Sequence, residues 1–183
     1  MENIGITMIR QNLADIPDYP LEDGYAIRAY RRGDKRIWVE IHEIAEDRIK
    51  VTGRMFDKNF GDDLESMPGR CFFLVSPDGQ DVGTITSWYH RSYRRRRWGR
   101  IHWVAIIPDH RGRGLSKGIM TVAMKRLRKL GHRRAMLATW TSCIPAIKTY
   151  LDFGFVPDLS RKDAWRAWRL VGEHIPHPVL AGL

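Results

Sequence analysis

The spacing of hydrophobic and polar positions divides the 183-residue chain into short extended segments and longer helical ones. Alternating positions or short apolar runs, which predict β-strands, occur at residues 25–30, 71–75, 82–90, 101–107 and 135–140. Apolar residues at helical spacing, which predict amphipathic helices, occur at residues 34–45, 115–130 and 146–151. The order of strand, turn, helix and strand over residues 101–140 is typical of a crossover unit.

The two ends of the chain lack a clear period. Residues 1–23 contain Pro17 and Pro20 and are predicted to form an N-terminal extension that lies on the domain or is partly mobile. The C-terminal tail, residues 173–183, is predicted to be extended. The sequence therefore predicts one central domain over residues 24–172.

Two internal segments follow weaker patterns. Residues 48–70 are predicted to form a broken helix, in which Met55 and Phe56 either shape a substrate cleft or simply pack against the core. For residues 160–171 a helix is favoured over a strand, because the segment has a capping-box start and its apolar residues follow helical spacing.

Polar residues of the first predicted helix have two interpretations. Asp34 is a plausible N-cap, and the apolar stripe of this helix comes every three or four residues after it. Glu40, His42 and Glu43 lie off that stripe, so a solvated face is favoured over a catalytic role.

A turn rich in glycine and arginine joins the strand at 101–107 to the following helix. The first amides of a helix have no partner inside it, so an anion placed there satisfies them. Gly112 and Gly114 permit a backbone that turns amides inward, although such spacing also occurs in tight turns that bind nothing. Mobile positive charge is expected from the side chains of Arg111, Arg113 and Lys117.

Two motifs in this region resemble those of a known family. Arg111-x-x-Gly114-x-Ser116, after an apolar strand, resembles the R/Q-x-x-G-x-G/A motif of the GNAT (Gcn5-related) N-acetyltransferases, whose loop holds the pyrophosphate of acetyl-coenzyme A. Ser116 departs from the usual glycine or alanine. The later run A-I-x-x-Y-x-x-x-G-F, which contains Tyr150, resembles a second GNAT motif.

The resemblance implies a fold class and an activity. The expected fold is α+β, or mixed α/β, with a mostly antiparallel GNAT sheet of about six or seven strands flanked by helices. The expected activity is acetyl transfer from acetyl-coenzyme A (acetyl-CoA), the co-substrate, to a primary amine by direct transfer (EC 2.3.1.-). The acceptor itself is not identified, because acceptor loops vary most among proteins that share a fold.

The resemblance also assigns site residues. Tyr150 is expected to be the general acid that protonates the leaving thiolate. The backbone of Val104, Ala105 and Ile106 is expected beside the pantetheine arm, where the amide of Ile106 could polarise the acetyl carbonyl. The pyrophosphate is expected at Arg111, Gly112, Arg113, Gly114, Leu115, Ser116 and Lys117.

The general base is open at this level. Arg100 and Ala138 stand where two GNAT subfamilies carry a glutamate, and Cys143 stands where one of them carries an asparagine. His102 is a candidate base, because alternation places it on the strand face of Val104 and Ile106 and an imidazole titrates near neutrality. Alternatives are His90 and a chain of water molecules.

The chain carries a formal charge of +10, which attracts anions of several kinds. Six arginines lie within the Arg91–Arg100 run, with Tyr93 and Trp98 among them. This run is either a solvated hairpin connection or a surface for an acidic acceptor or for nucleic acid. The alternative function is therefore a catalytically inactive GNAT-fold basic module that binds nucleic acid or an acidic partner.

Other features predict a cytoplasmic protein without metal or membrane association. Cys71 and Cys143 lack metal-ligand or disulfide-scaffold spacing, and His174 and His177 lack a third ligand, so no metal site is expected. No apolar run approaches a membrane span of about 20 residues, and the N-terminus does not resemble a signal peptide. The oligomeric state is open, a homodimer included.

Overall fold

Seven strands form one sheet in the computed structural model, which describes residues 1–182. The strands, numbered along the chain, are β1 (Gly5–Arg10), β2 (Ala26–Ala29), β3 (Cys71–Val75), β4 (Asp81–Tyr93), β5 (Arg96–Ile106), β6 (Ala135–Trp140) and β7 (Val156–Pro157). Their order is β2-β3-β4-β5-β6-β1-β7, and neighbours are antiparallel except for β5 with β6. This mixed sheet confirms the predicted fold class.

Helices cover both faces of the sheet. The α-helices in the described part of the chain are α1 (Lys35–Ala45), α2 (Gly53–Phe60), α3 (Leu115–Lys129), α4 (Ile144–Asp152) and α5 (Ala164–Gly172). Short 3-10 segments lie at Gly61–Gly69, Pro108–His110 and Pro178–Leu180. The buried side chains of α3, α4 and α5 form one core cluster, and those of α1 and α2 form a second cluster on the other face. Within residues 1–182, no helix has both the length and the apolar character to cross a membrane.

The first strand lies inside the sheet, where the structure differs from the expected extension. β1 pairs antiparallel with β6 on one side and with β7 on the other. Ile6 and Met8 point into the larger core cluster, being 3% and 0% exposed. The rest of this segment packs on α3, and the Tyr19 amide donates to Thr121 Oγ1 at 3.0 Å. β1 has only six residues, which is too few for its alternation to be recognised in the sequence.

The arginine-rich run lies on the hairpin between β4 and β5, as the sequence predicts. Arg94 and Arg95 form the turn, with φ of 47° and 59°. Arg94 forms an ion pair with Asp158, whose carboxylate is buried and also accepts a hydrogen bond from the Tyr93 hydroxyl. Part of this run therefore anchors the loop after β7.

The expectation of a solvated face on α1 is wrong for His42. This side chain is 2% exposed, and its ring centroid lies 4.2 Å from that of Trp38 and 5.1 Å from that of Trp103. Ile44, an apolar residue of the same helix, is instead 59% exposed. Side chains from α2 and β5 cover the face of α1 that carries His42. The spacing of residues within α1 gives no information about these contacts, because α2 and β5 are separate segments of the chain.

Both weakly patterned internal segments are helical. Residues 53–69 form α2 followed by a 3-10 segment that is kinked at Asp63, which confirms a broken helix. Phe56 is fully buried beside Trp38 and Tyr30, so packing accounts for it. The helix favoured within residues 160–171 is confirmed as α5.

A methyl group at Gly83 should destabilise the fold. Its position lies 2.8 Å from the carbonyl oxygen of Ala105 on the adjacent strand, so Gly83→Ala pushes β5 away from β4. We expect a loss of about 1–3 kcal/mol in the free energy of unfolding, measured with urea. Gly172→Ala is the control, because nothing lies within 4 Å of its added methyl group. Equal stability of the two variants would contradict this packing.

Candidate active site

The parallel strands β5 and β6 separate soon after they meet. Their pairing consists of Gly99 opposite Ala135 and Arg100 opposite Met136. Beyond these positions β5 continues to Ile106 and β6 continues to Trp140, but the two strands no longer pair with each other. The edge of β5 from Ile101 onward therefore faces a gap in which its backbone groups can bind a ligand.

A β-bulge changes the direction of β5 at this gap. His102 pairs with Thr86 and Ala105 pairs with Thr84, so two residues of β5 oppose the single residue Ile85 of β4. Trp103 lies in the bulge with φ of 49°, a left-handed conformation that is rare for a bulky residue. Such bulges bend a strand and redirect its side chains, often beside functional sites.

The bulge places His102 away from the residues with which it was expected to align. Val104 and Ile106 pack on the cluster that contains α3, whereas Trp103 packs on the cluster that contains α1 and α2. The ring of His102 lies 5.7 Å from that of Phe60 in α2. The expected shared face is therefore wrong, because the extra residue of the bulge shifts the alternation by one position.

His102 is a neutral, half-buried imidazole. Its Nε2 lies 3.0 Å from Asn59 Oδ1, and Asn59 Nδ2 donates to the carbonyl of Met55. Nε2 therefore carries the proton, and Nδ1 has the free lone pair. Burial, followed by the charges of Arg100 and His42, holds the pKa of His102 well below its usual range. Burial and the charge of Arg100 also lower the pKa of the alternative candidate, His90.

The turn before α3 presents a set of free amides. Gly112 and Gly114 have φ of 79° and 72°, which glycine adopts without strain. Within residues 1–182, the amides of residues 112–116 donate to no backbone carbonyl. The set includes Arg113, Leu115 and Ser116, and it lies at the positive end of a 15-residue helix. This geometry suits a phosphate group.

Two cationic side chains of this turn are already engaged by the protein. Arg111 donates from Nε to the carbonyl of Ile106 and from Nη2 to that of Ala45, both at 2.8 Å. Lys117 Nζ lies 2.8 Å from Asp152 Oδ2 on α4. The structure thus differs from the expectation of mobile charge at Arg111 and Lys117, and the groups of this turn left free for an anion are mainly backbone amides.

Tyr150 lies on α4 and belongs to the core cluster that contains α3. It is 7% exposed, and burial, followed by the effect of Cys143, raises the pKa of its phenol. The phenol is therefore protonated at neutral pH and can donate a proton or a hydrogen bond.

A salt-bridged pair that the sequence did not indicate contacts the residues just after β6. Arg48 binds Glu46 side-on, with Nε to Oε1 at 2.6 Å and Nη2 to Oε2 at 2.7 Å. Its Nη1 reaches Cys143 Sγ at 2.6 Å and Ser142 Oγ at 3.3 Å, just after β6. In the sequence, these charges follow a helix and resemble a solvated loop, so only their distant partners reveal the site.

The family model described as "Acetyltransferase (GNAT) family" matches residues 38–155, which include the gap, the amide turn and Tyr150. The chain therefore belongs to the GNAT acetyltransferase family.

Relatives and solved structures agree with this family. A mycothiol acetyltransferase from Streptomyces coelicolor is 27% identical over 146 residues, which cover 78% of this chain and 46% of the relative. A GCN5-related N-acetyltransferase from Sphaerobacter thermophilus superposes with a TM-score of 0.71 at 21% identity, covering 85% of this chain and 48% of that one. Spermidine N-acetyltransferase from Vibrio cholerae, in complex with CoA and spermine, superposes with a TM-score of 0.56 at 16% identity. This match covers 75% of this chain and 83% of that one. The chain spans about half the length of the curated relatives it matches.

Among residues 1–182, no group of three His, Cys, Asp or Glu side chains is placed to hold a metal ion.

The buried His42 should make the fold sensitive to acid. Burial lowers its pKa to about 3, so between that value and about 6.5 the unfolded chain binds a proton that the folded chain does not. This difference has almost no effect on the free energy of unfolding above about pH 6.5 and lowers it progressively as the pH falls towards about 3. Between pH 7 and pH 5, the free energy of unfolding measured with urea should fall by about 2 kcal/mol more in wild type than in His42→Phe.

Phenylalanine suits this position because His42 Nε2 is buried without a hydrogen-bond partner. His174→Phe, at an exposed position, is the control and should follow the wild-type pH dependence. Parallel pH curves for wild type and His42→Phe would contradict the prediction.

Proposed function

We propose that this chain transfers an acetyl group from acetyl-CoA to a primary amine (EC 2.3.1.-). The observation that carries the proposal is the gap between β5 and β6, with the amide turn at residues 112–116 soon after β5. Tyr150 belongs to the core cluster on which Val104 and Ile106 pack. This combination offers a slot for an extended arm, a cradle for phosphates and a proton donor. The names of the family and of its relatives support the same reaction.

In this proposal, backbone groups bind most of the coenzyme. The amides of residues 112–116 would hold the pyrophosphate, since they lack carbonyl partners. The pantetheine arm would lie against Val104, Ala105 and Ile106, where β6 no longer pairs with β5. Arg111 would act indirectly, because it ties the end of β5 to the end of α1.

The chemical step would be direct attack on the thioester. The neutral amine adds to the acetyl carbonyl, while the amide of Ile106 would stabilise the negative charge that develops on oxygen. Collapse of the tetrahedral species breaks the carbon–sulfur bond, and the departing sulfur receives a proton from Tyr150. Holding both reactants in one complex supplies much of the rate enhancement.

Proton removal from the amine is assigned to water in this proposal. The His102 ring packs against Phe60 and Trp103, and its Nε2 is hydrogen-bonded to Asn59. A water chain to solvent needs no dedicated side chain. His102, through Nδ1, and His90 are the protein groups that would replace it.

The alternative of an inactive basic module is less well supported. Arg94 of the Arg91–Arg100 run is bound to Asp158, and Arg100 is largely buried, with burial lowering its pKa. Fewer cations are therefore available to nucleic acid than the sequence suggests. Retardation of nucleic acid that disappears on replacing Arg94–Arg97 with serine would instead support that function.

Acetyl-CoA should bind to the amide turn. Gly114 has a φ of 72°, which alanine adopts only with strain. Gly114→Ala therefore disfavours the backbone conformation in which the amides of the turn point toward one site. We expect acetyl-CoA affinity to fall about tenfold in calorimetry, which corresponds to a strain of about 1.4 kcal/mol. Gly33→Ala, also at positive φ with nothing within 4 Å, is the control. No binding by folded wild type at high micromolar acetyl-CoA would refute the proposed function.

Loss of the Tyr150 hydroxyl should slow turnover more than it weakens coenzyme binding. General acid catalysis typically contributes about 100-fold or more, so Tyr150→Phe should lower kcat by about that factor. Acetyl-CoA affinity should change less than about threefold, because the turn supplies the phosphate contacts. Tyr89→Phe removes a hydroxyl bonded to Asp63 and is the control. Unchanged kcat in Tyr150→Phe would remove this residue from the mechanism.

A further inference from the structure

The segment from Ala45 to Arg48 is tied to both strands that border the gap. Arg111, just after β5, donates to the Ala45 carbonyl at 2.8 Å, and Arg48 contacts Cys143 just after β6. The segment continues from α1, whose buried residues lie on the sheet face opposite α3. It therefore lies at the mouth of the gap, on the side away from the amide turn's helix.

The guanidinium of Arg48 has strong hydrogen-bond partners for only some of its nitrogens. Glu46 occupies one edge of the guanidinium with two short hydrogen bonds. The remaining nitrogen, Nη1, faces a cysteine sulfur at 2.6 Å and a serine hydroxyl at 3.3 Å. A thiol is a weak acceptor, and a carboxylate is the partner that arginine binds most strongly. An incoming carboxylate would thus improve the contacts of Nη1 without breaking the Glu46 pair.

Two exposed apolar residues are close in the sequence to Arg48 or to its partner Ser142. Ile49 follows Arg48 directly and is 44% exposed, and Trp140, at the end of β6, is also 44% exposed. Isolated exposed apolar residues are ordinary on protein surfaces. Here Ile49 is adjacent to Arg48 in the chain and Trp140 lies two residues before Ser142, which Arg48 contacts, so we expect apolar surface close to this cation.

We propose that Arg48 determines acceptor specificity by binding a carboxylate of the acceptor, and that the acceptor is an amine which also carries a carboxylate, such as an apolar amino acid. Glu46 is a positioning residue that orients the guanidinium. The inference rests on the proposed acetyl transfer and names the substrate class of that same site. The formal charge of +10 adds a long-range attraction for acceptors with an anionic group.

The test compares amines that differ only in the carboxylate. L-phenylalanine is paired with 2-phenylethylamine, and L-leucine with 3-methylbutylamine, within a screen of the common amino acids that measures thiol release from acetyl-CoA. Wild type should use an amino acid with a kcat/KM at least about tenfold above that of its matched amine. Arg48→Gln should raise KM for the amino acid about 10- to 100-fold, leave kcat within about threefold, and hardly affect the matched amine.

Two variants separate recognition from general charge. Lys50→Gln removes one positive charge from an exposed neighbour of Arg48 and should behave like wild type. Arg48→Lys keeps the charge but loses the planar, two-edged geometry, so it should recover only part of the affinity. A uniform KM effect across all three variants would overturn the assignment to Arg48.

The remaining outcomes would overturn either the role of Arg48 or the proposed acetyl transfer. Equal use of amino acid and matched amine, or acetylation of no carboxylate-bearing amine by a sample that binds acetyl-CoA, would overturn this inference. Absence of acetyl-CoA binding in a folded sample would instead reject the proposed function itself. Calorimetry with acetyl-CoA on the same preparations distinguishes the two failures.

Discussion

The short parallel contact between β5 and β6 is the constraint on which the site depends. A parallel pair that continued to the ends of both strands would satisfy their backbone groups and close the sheet. Pairing instead stops after Arg100 opposite Met136. The fold can maintain the separation because β4 supports β5 on its other edge and β1 supports β6 on its other edge. An unpaired edge inside a sheet is available to an extended ligand, as an edge strand is to a peptide.

The bulge in β5 redirects the strand where it borders the gap. One extra residue bends the strand and places Trp103 in a left-handed conformation. Its indole packs against Trp38 and His42, so the α1 layer compensates the strain. The same shift places His102 beside α2 and leaves Val104 and Ile106 on the α3 face. The backbone irregularity beside the slot thus moves the nearest histidine away from the face on which simple alternation places it.

The two sides of the gap differ in how they could hold a ligand. The side near α3 offers backbone amides, whose positions depend on glycine conformation and on no ionisable group. The side near α1 offers Arg48 and its partner Glu46. Arg111 connects the sides by binding carbonyls from β5 and α1. Coenzyme binding is therefore expected to respond to backbone changes, and acceptor choice to charge changes.

The sequence by itself determined the features that are encoded locally. The central strands, the helices, the amide turn and Tyr150 follow from periodicity, from Gly112 and Gly114, and from motif spacing. Only the tertiary structure decided the place of β1 inside the sheet, the burial of His42 and the contact of Arg48 with Cys143. These features arise from pairing and packing between segments far apart in the chain, and a single unpaired bulge residue was enough to reverse the expected side-chain face. Local spacing contains neither kind of information.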